Sequence, residues 1–133
     1  MNTGHDGSMT TVHANTVRDA LSRLEQMVPM LGADIPMVTI RNQIASSIDI
    51  IVQLSRHSDG GRRVMSIAEV NGMEGDIITM QEIFTFDKRG KSETGQILGE
   101  LVYTGIRPQF MDRLNAAGVK LPDDVFTFEG VPV

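Results

Sequence analysis

The sequence predicts an α/β domain in which two helices lead into an antiparallel sheet. Apolar residues first recur at helical spacing, as Val17, Leu21, Leu24 and Val28 and then as Ile40, Ile44 and Ile48. From residue 48 onward the pattern changes to β-branched runs separated by short glycine turns. The chain of 133 residues, 41% hydrophobic, is long enough to bury a core as one domain.

The elements follow in order. Residues 1–8 combine Asn, Thr, two Gly, Asp and Ser and read as loop. Met9-Thr10-Thr11-Val12-His13 predicts a short strand with an imidazole at its tip. Asn15 or Thr16 is suited to cap a helix from about Val17 to Met30, which Gly32 stops. Arg18, Asp19, Arg23 and Glu25 fall on its solvated face. Pro36 suits the first turn of a second helix over about 36–47.

The run Ile48-Asp49-Ile50-Ile51-Val52-Gln53-Leu54 reads as a buried strand. Ser58-Asp59-Gly60-Gly61 turns the chain into a strand over Arg62–Val70, and Asn71-Gly72-Met73-Glu74-Gly75 turns it again. Asp76–Phe86 is the third strand, which completes an antiparallel meander over about 48–86. Asp87–Gly99, polar and with three glycines, reads as a linker or mobile loop. A short helix from about Arg107 to Ala117 ends at Gly118. The tail from Leu121 to Val133 reads as extended, and packed or partner-bound. The division expected is therefore 1–86 and 87–133.

Composition excludes several classes. The formal charge of −5 and a pI near 5.1 argue against nucleic acid or an anionic membrane as partner, because phosphate backbones need clustered Lys and Arg. Without cysteine there is no disulfide framework and no thiolate metal site. No apolar run approaches the length of a membrane span. His5, Asp6 and His13, with His57 elsewhere, lack the spacing of a zinc site, so no metal site is expected.

Chemistry concentrates in Gly4-His5-Asp6-Gly7-Ser8-Met9-Thr10-Thr11-Val12-His13. Gly4 and Gly7 allow the backbone to approach a ligand, Thr10 and Thr11 offer hydroxyls, and His13 closes the run. Such an imidazole can contact a phosphate oxygen, act as a general base or ligate a metal. It can also be purely structural. Gly90-Lys91-Ser92 imitates the end of a phosphate-binding loop. Position 85 is Thr where that pattern needs Gly, and Glu93-Thr94-Gly95 does not start a helix, so it is a decoy. Ser8 lacks the glycine-flanked elbow of a hydrolase nucleophile. Arg56, Arg62 and Arg63 flank the first hairpin turn, where they serve as solvated turn residues or as charge presented to a phosphate or a neighbouring subunit.

The stretch Thr3–Asn15 resembles the His box of the type II/type IV secretion ATPase superfamily. Arg18-Asp19-Ala20-Leu21-Ser22-Arg23-Leu24-Glu25, Gln43–Gln53, Arg62-Arg63-Val64, Ser66–Val70, Gly72-Met73-Glu74-Gly75 and Tyr103–Pro108 resemble its Tad/Flp (CpaF-type) pilus-assembly branch. The resemblance implies the C-terminal part of a RecA-like P-loop ATPase core that works as a hexameric ring, with ATP and Mg2+ as cofactors of the complete protein. It implies that His13 senses the γ-phosphate with Thr11 beside it, that Gly4, His5, Gly7 and Ser8 shape the nucleotide-site loop, and that Arg56, Arg62 and Arg63 face the next subunit.

The family's P-loop and magnesium-binding strand lie upstream of its His box, and neither is in this sequence. The chain alone is therefore expected to be a poor ATPase or none, and to bind no nucleotide tightly. The complete protein is expected to couple ATP hydrolysis to pilin or protein export. It would do so in the cytoplasm at the inner membrane, with platform proteins as partners and no nucleic acid. The alternative is a non-catalytic interaction module that docks into a complete ATPase ring.

Overall fold

The computed structural model describes residues 7–29, 32, 34–127 and 131–132. The element order is α1 (Val17–Met27), α2 (Met37–Ser47), β1 (Ile50–Arg56), β2 (Arg62–Glu74), β3 (Ile77–Lys91), β4 (Ile97–Tyr103), α3 (Phe110–Ala116) and β5 (Val131–Pro132). The five strands form one sheet in sequence order, an antiparallel meander preceded by α1 and α2 and with α3 between β4 and β5. The expected fold class, α/β with an antiparallel meander and short helices, is therefore observed. The chain forms two compact units, Met1–Asp49 with Val70–Met80, and Ile50–Glu69 with Gln81–Val133. The long strands β2 and β3 each contribute residues to both.

The first unit holds α1, α2 and the tip of the β2–β3 hairpin. Thr16 caps α1, its hydroxyl accepting from the Asp19 N–H at 3.0 Å. Such a cap contributes about 1 kcal/mol. The helix ends at Met27 rather than Met30, because Pro29 has no N–H to return to the carbonyl one turn back. Val17, Ala20 and Leu21 of α1 and Ile40 and Ile44 of α2 are buried, as is Ile78 in the hairpin. The hairpin turn is Gly75-Asp76, at the C-terminal end of the Asn71–Gly75 cluster, whose first four residues belong to β2. Only Gly75 among those two has positive φ (+59°), as the two-residue turn with glycine first demands.

Two arginines tie this tip to the helices. Arg18 Nη1 donates to the Ile78 carbonyl at 2.7 Å. Arg41 Nη1 donates to the Asp76 carbonyl at 3.1 Å, while its Nε reaches Glu25 Oε1 at 3.1 Å. Arg18 and Glu25, expected to be solvated, thus hold structure together.

The second unit is built on the sheet. β1 pairs with β2 from Ile50↔Glu69 to Arg56↔Arg62, with an extra β2 residue, Met65, opposite the Gln53/Leu54 step. The expectation that β1 is buried fails. Ile50, Val52 and Leu54, alternate residues on one face, are 44%, 47% and 58% exposed. β1 lies at the sheet edge, and among the described residues nothing covers that face.

Residues 87–99, expected as linker, instead carry the end of β3 and the start of β4, paired from Phe84↔Tyr103 to Lys91↔Ile97. A tight turn at Ser92–Gln96 joins them, closed by Ser92 N–H to Gln96 carbonyl at 2.8 Å and Gln96 N–H to Ser92 Oγ at 3.0 Å. Gly90-Lys91-Ser92 therefore ends a strand and enters a hairpin turn, not a helix. Ile83, Phe84 and Tyr103 form the core with Ile67, Leu101, Val125 and Phe126 packed on it. The tail packs through turns over 123–126, where Phe126 stacks on Phe84 with centroids 5.9 Å apart, and is extended at Val131–Pro132, which pairs with β4. Glu69, buried in β2, accepts from the N–H groups of Gln109 (2.8 Å) and Phe110 (2.9 Å) and so satisfies the start of α3.

Candidate functional site

The segment that leads into α1 forms no strand over residues 7–14. A strand exists by its ladder of hydrogen bonds, and among the described residues no partner pairs with 9–13. The expected strand tip is therefore an exposed, irregular run. Gly7 holds φ +89°, a conformation glycine favours, and nothing lies within 4 Å of where a Cβ would stand. Ser8, Thr11 and His13 are exposed. Gly4 and His5, which complete the expected loop, lie outside the described residues.

His13 lines an open groove of about 560 Å³ with Ala14, Asn15, Asp19, Ser22, Arg23 and Gln26. The four α1 residues are spaced three and four apart and so present one helix face. Val17, Ala20 and Leu21 take the buried face. Thr11 and Ser8 do not line the groove. The groove offers an imidazole, a guanidinium, two amides and a hydroxyl, donors that fit phosphate oxygens. Its lining has no Phe, Tyr or Trp and one small apolar side chain, Ala14. Sequence reasoning found His13 but assigned Arg23 to solvent and passed over Ser22 and Gln26. Their helical spacing toward His13 was the available signal.

The three hairpin arginines divide. Arg56 and Arg62 pair across the β1–β2 hairpin, with both side chains exposed. Arg63 is engaged in the fold. Its Nη1 and Nη2 meet Asp59 Oδ1 and Oδ2 at 3.0 and 2.7 Å, and Nη2 also donates to the Ile97 carbonyl at 3.0 Å. Asp59 accepts further from the N–H groups of Gly61 (2.9 Å) and Ile97 (2.7 Å). Arg63, then the two backbone donors, hold the Asp59 carboxyl well below the ordinary carboxylate range, and Asp59 raises Arg63 in turn.

His57, the remaining histidine, has Nε2 at 2.9 Å from Met65 Sδ and its ring edge-on to Phe86, a packing role. Among the described residues no three His, Cys, Asp or Glu side chains converge as a metal site. Nor is any helix there long and apolar enough to cross a membrane.

Residues 1–97 match the family model described as type II/IV secretion system protein. The conjugal transfer protein TrbB of Rhizobium radiobacter is 41% identical over 71 residues, which cover 53% of this chain and 20% of that protein. A protein of Mycobacterium tuberculosis (strain CDC 1551 / Oshkosh) named for conjugal transfer is 29% identical over 102 residues, covering 77% of this chain and 28% of that protein. The type IV secretion system protein VirB11 of Bartonella quintana (strain Toulouse) is 46% identical over 61 residues, 42% of this chain and 16% of that protein. The matched segments thus span between 16% and 28% of the length of these relatives.

Proposed function

This chain belongs to the family of type II/IV secretion system proteins, and from that premise we propose that it is the phosphate-sensing portion of a secretion ATPase. The observation that carries the proposal is the family match over residues 1–97, which takes in His13, the groove beside it and most of the sheet. The Tad/Flp branch is the narrower assignment that the motifs favour. The relatives are named conjugal transfer protein TrbB and type IV secretion system protein VirB11; ATP hydrolysis that drives export of a pilin or other protein is the activity that the resemblance of the motifs implies. In the complete protein, a hexamer at the inner membrane's cytoplasmic face, ATP and Mg2+ would be held mainly by residues this sequence does not contain.

The local geometry gives His13 a means of reporting. An exposed imidazole can donate to a terminal phosphate oxygen, and that partner disappears when the phosphate leaves. α1 begins four residues later, and Arg18 in its first turn holds the Ile78 carbonyl. Arg41 holds the Asp76 carbonyl and Glu25 at once. A displacement at His13 that reaches α1 is passed on to the β2–β3 hairpin tip through these hydrogen bonds. Arg56 and Arg62, exposed at the other hairpin, are the residues we assign to a neighbouring subunit.

The test begins with the purified chain. Its ATP hydrolysis should not exceed that of its His13→Ala variant, since the phosphate cradle lies elsewhere. A reproducible difference between the two would refute this division of labour.

A further inference from the structure

We propose that His57 and Met65 form a two-donor site for a soft monovalent cation of the Cu(I) class. The site lies apart from His13 and does not depend on the reading of that residue.

The β1–β2 hairpin brings the two donors together. His57 Nε2 stands 2.9 Å from Met65 Sδ, and both side chains are half-buried. That separation is well inside the roughly 3.5–4.0 Å at which non-bonded heavy atoms settle, so nitrogen and sulfur address the same point. Met65 is the extra β2 residue at the bulge opposite the Gln53/Leu54 step. A bulge re-aims the side chain it carries, and this one sits where the thioether meets the imidazole across the hairpin.

The imidazole is held in advance. The His57 N–H donates to the Gly61 carbonyl at 2.8 Å, and the His57 carbonyl accepts from the Gly60 N–H at 2.9 Å. Its ring meets Phe86 edge-on, with centroids 5.4 Å apart. Met65 supplies the adaptable partner, since its side chain turns about three bonds and its sulfur is polarisable.

The donor chemistry selects the ion. Thioether sulfur is a soft, neutral ligand that selects Cu(I), and neutral imidazole is a ready companion. Zinc, magnesium and calcium call for carboxylates, thiolates or several imidazoles. The carboxylate nearest in sequence, Asp59, is already taken up by Arg63 and by the N–H groups of Gly61 and Ile97. Arg56 and Arg62, exposed on the same hairpin, repel a dication about twice as strongly as a monovalent ion. The chain has no cysteine, so no thiolate of its own competes for a soft cation.

The test titrates the full chain with silver nitrate, a redox-inert probe of this cation class, in chloride-free buffer and reads side-chain and amide chemical shifts. The His57 ring and the Met65 methyl group should shift together and saturate at a single equivalent of Ag+, and zinc nitrate at the same concentration should shift neither. Removing a supporting residue of a metal site costs about 10–100-fold in affinity, so removing a donor should cost at least about tenfold. Met65→Leu, which conserves volume, and His57→Phe, which keeps a ring against Phe86, should each show that loss. His13→Ala should bind silver as the wild type does.

Wild-type silver affinity in Met65→Leu overturns the proposal. So do first shifts at another methionine, such as the fully exposed Met9, or zinc binding as tightly as silver. The wild-type shifts locate the ion without any substitution, so the test stands even where a variant fails to fold.

Discussion

Replacing Glu69 with Ala should remove the support of α3. Glu69 is 5% exposed, and its two carboxylate oxygens accept from consecutive backbone N–H groups, Gln109 at 2.8 Å and Phe110 at 2.9 Å. Hydrogen bonds to a charged group contribute about 1.5–3 kcal/mol each. Gln109 is exposed, so water recovers part of the loss, and the net cost should be about 2–4 kcal/mol. For a chain of this size that lowers the melting temperature by roughly 10 °C. Glu69→Gln keeps one acceptor oxygen and turns an amide N–H toward the other donor, so it should recover less than half.

Thermal melts followed by circular dichroism give the size, and amide hydrogen exchange gives the place. Residues 110–116, which are α3, should lose protection first. The helix has seven residues and no side-chain cap of its own, so it has little to fall back on. A Glu69→Ala variant that melts within about 2 °C of the wild type, with α3 still protected, would refute this reasoning.

Acid should act through Asp59. Its folded carboxyl is held below the unfolded value of about 3.9, so its stabilisation is complete above that value and is lost as pH falls beneath it. Asp59→Asn should flatten the stability profile below about pH 4 in acid titrations followed by fluorescence of an added tryptophan or by circular dichroism; an unchanged slope would contradict it. Gly99→Ala should destabilise by about 1–3 kcal/mol, because its Cβ would overlap the Phe86 ring and the Asp87 carbonyl across the β3–β4 pair. Denaturant melts measure this directly, and an unchanged midpoint would mean that the strands separate freely there.

What could be read from the sequence was local. The spacing of Val17, Leu21, Ile40 and Ile44 located both helices, and Thr16 was a legible cap. Glycine turns located the meander. β4 was hidden because Gly90, Gly95 and Gly99 dilute its neighbourhood, although Ile97, Leu101 and Tyr103 alternate inward from it. The extra length of β2 and β3 was hidden for the same reason, with Gly72 taken for a turn and Gly90 for part of a linker when each lies within a strand.

What could not be read was pairing at a distance. Glu69 meets residues 40 and 41 positions away, Arg18 a carbonyl 60 away, and Arg63 a carbonyl 34 away. No periodicity encodes such partners. In each case a charged residue satisfies backbone groups of another element. At the site, residue type alone singled out His13, whereas Arg23 needed the helix to be built before its side of α1 was known.

The most direct measurement grafts residues 1–133 onto the nucleotide-binding portion of a complete family ATPase and compares His13→Ala with the unmodified graft. Steady-state turnover and equilibrium nucleotide binding are read separately. Loss of a donor aimed at developing phosphate charge should lower kcat about a hundredfold while nucleotide Kd changes less than about threefold. Equal losses in kcat and affinity, or no loss in either, would contradict a phosphate-sensing His13.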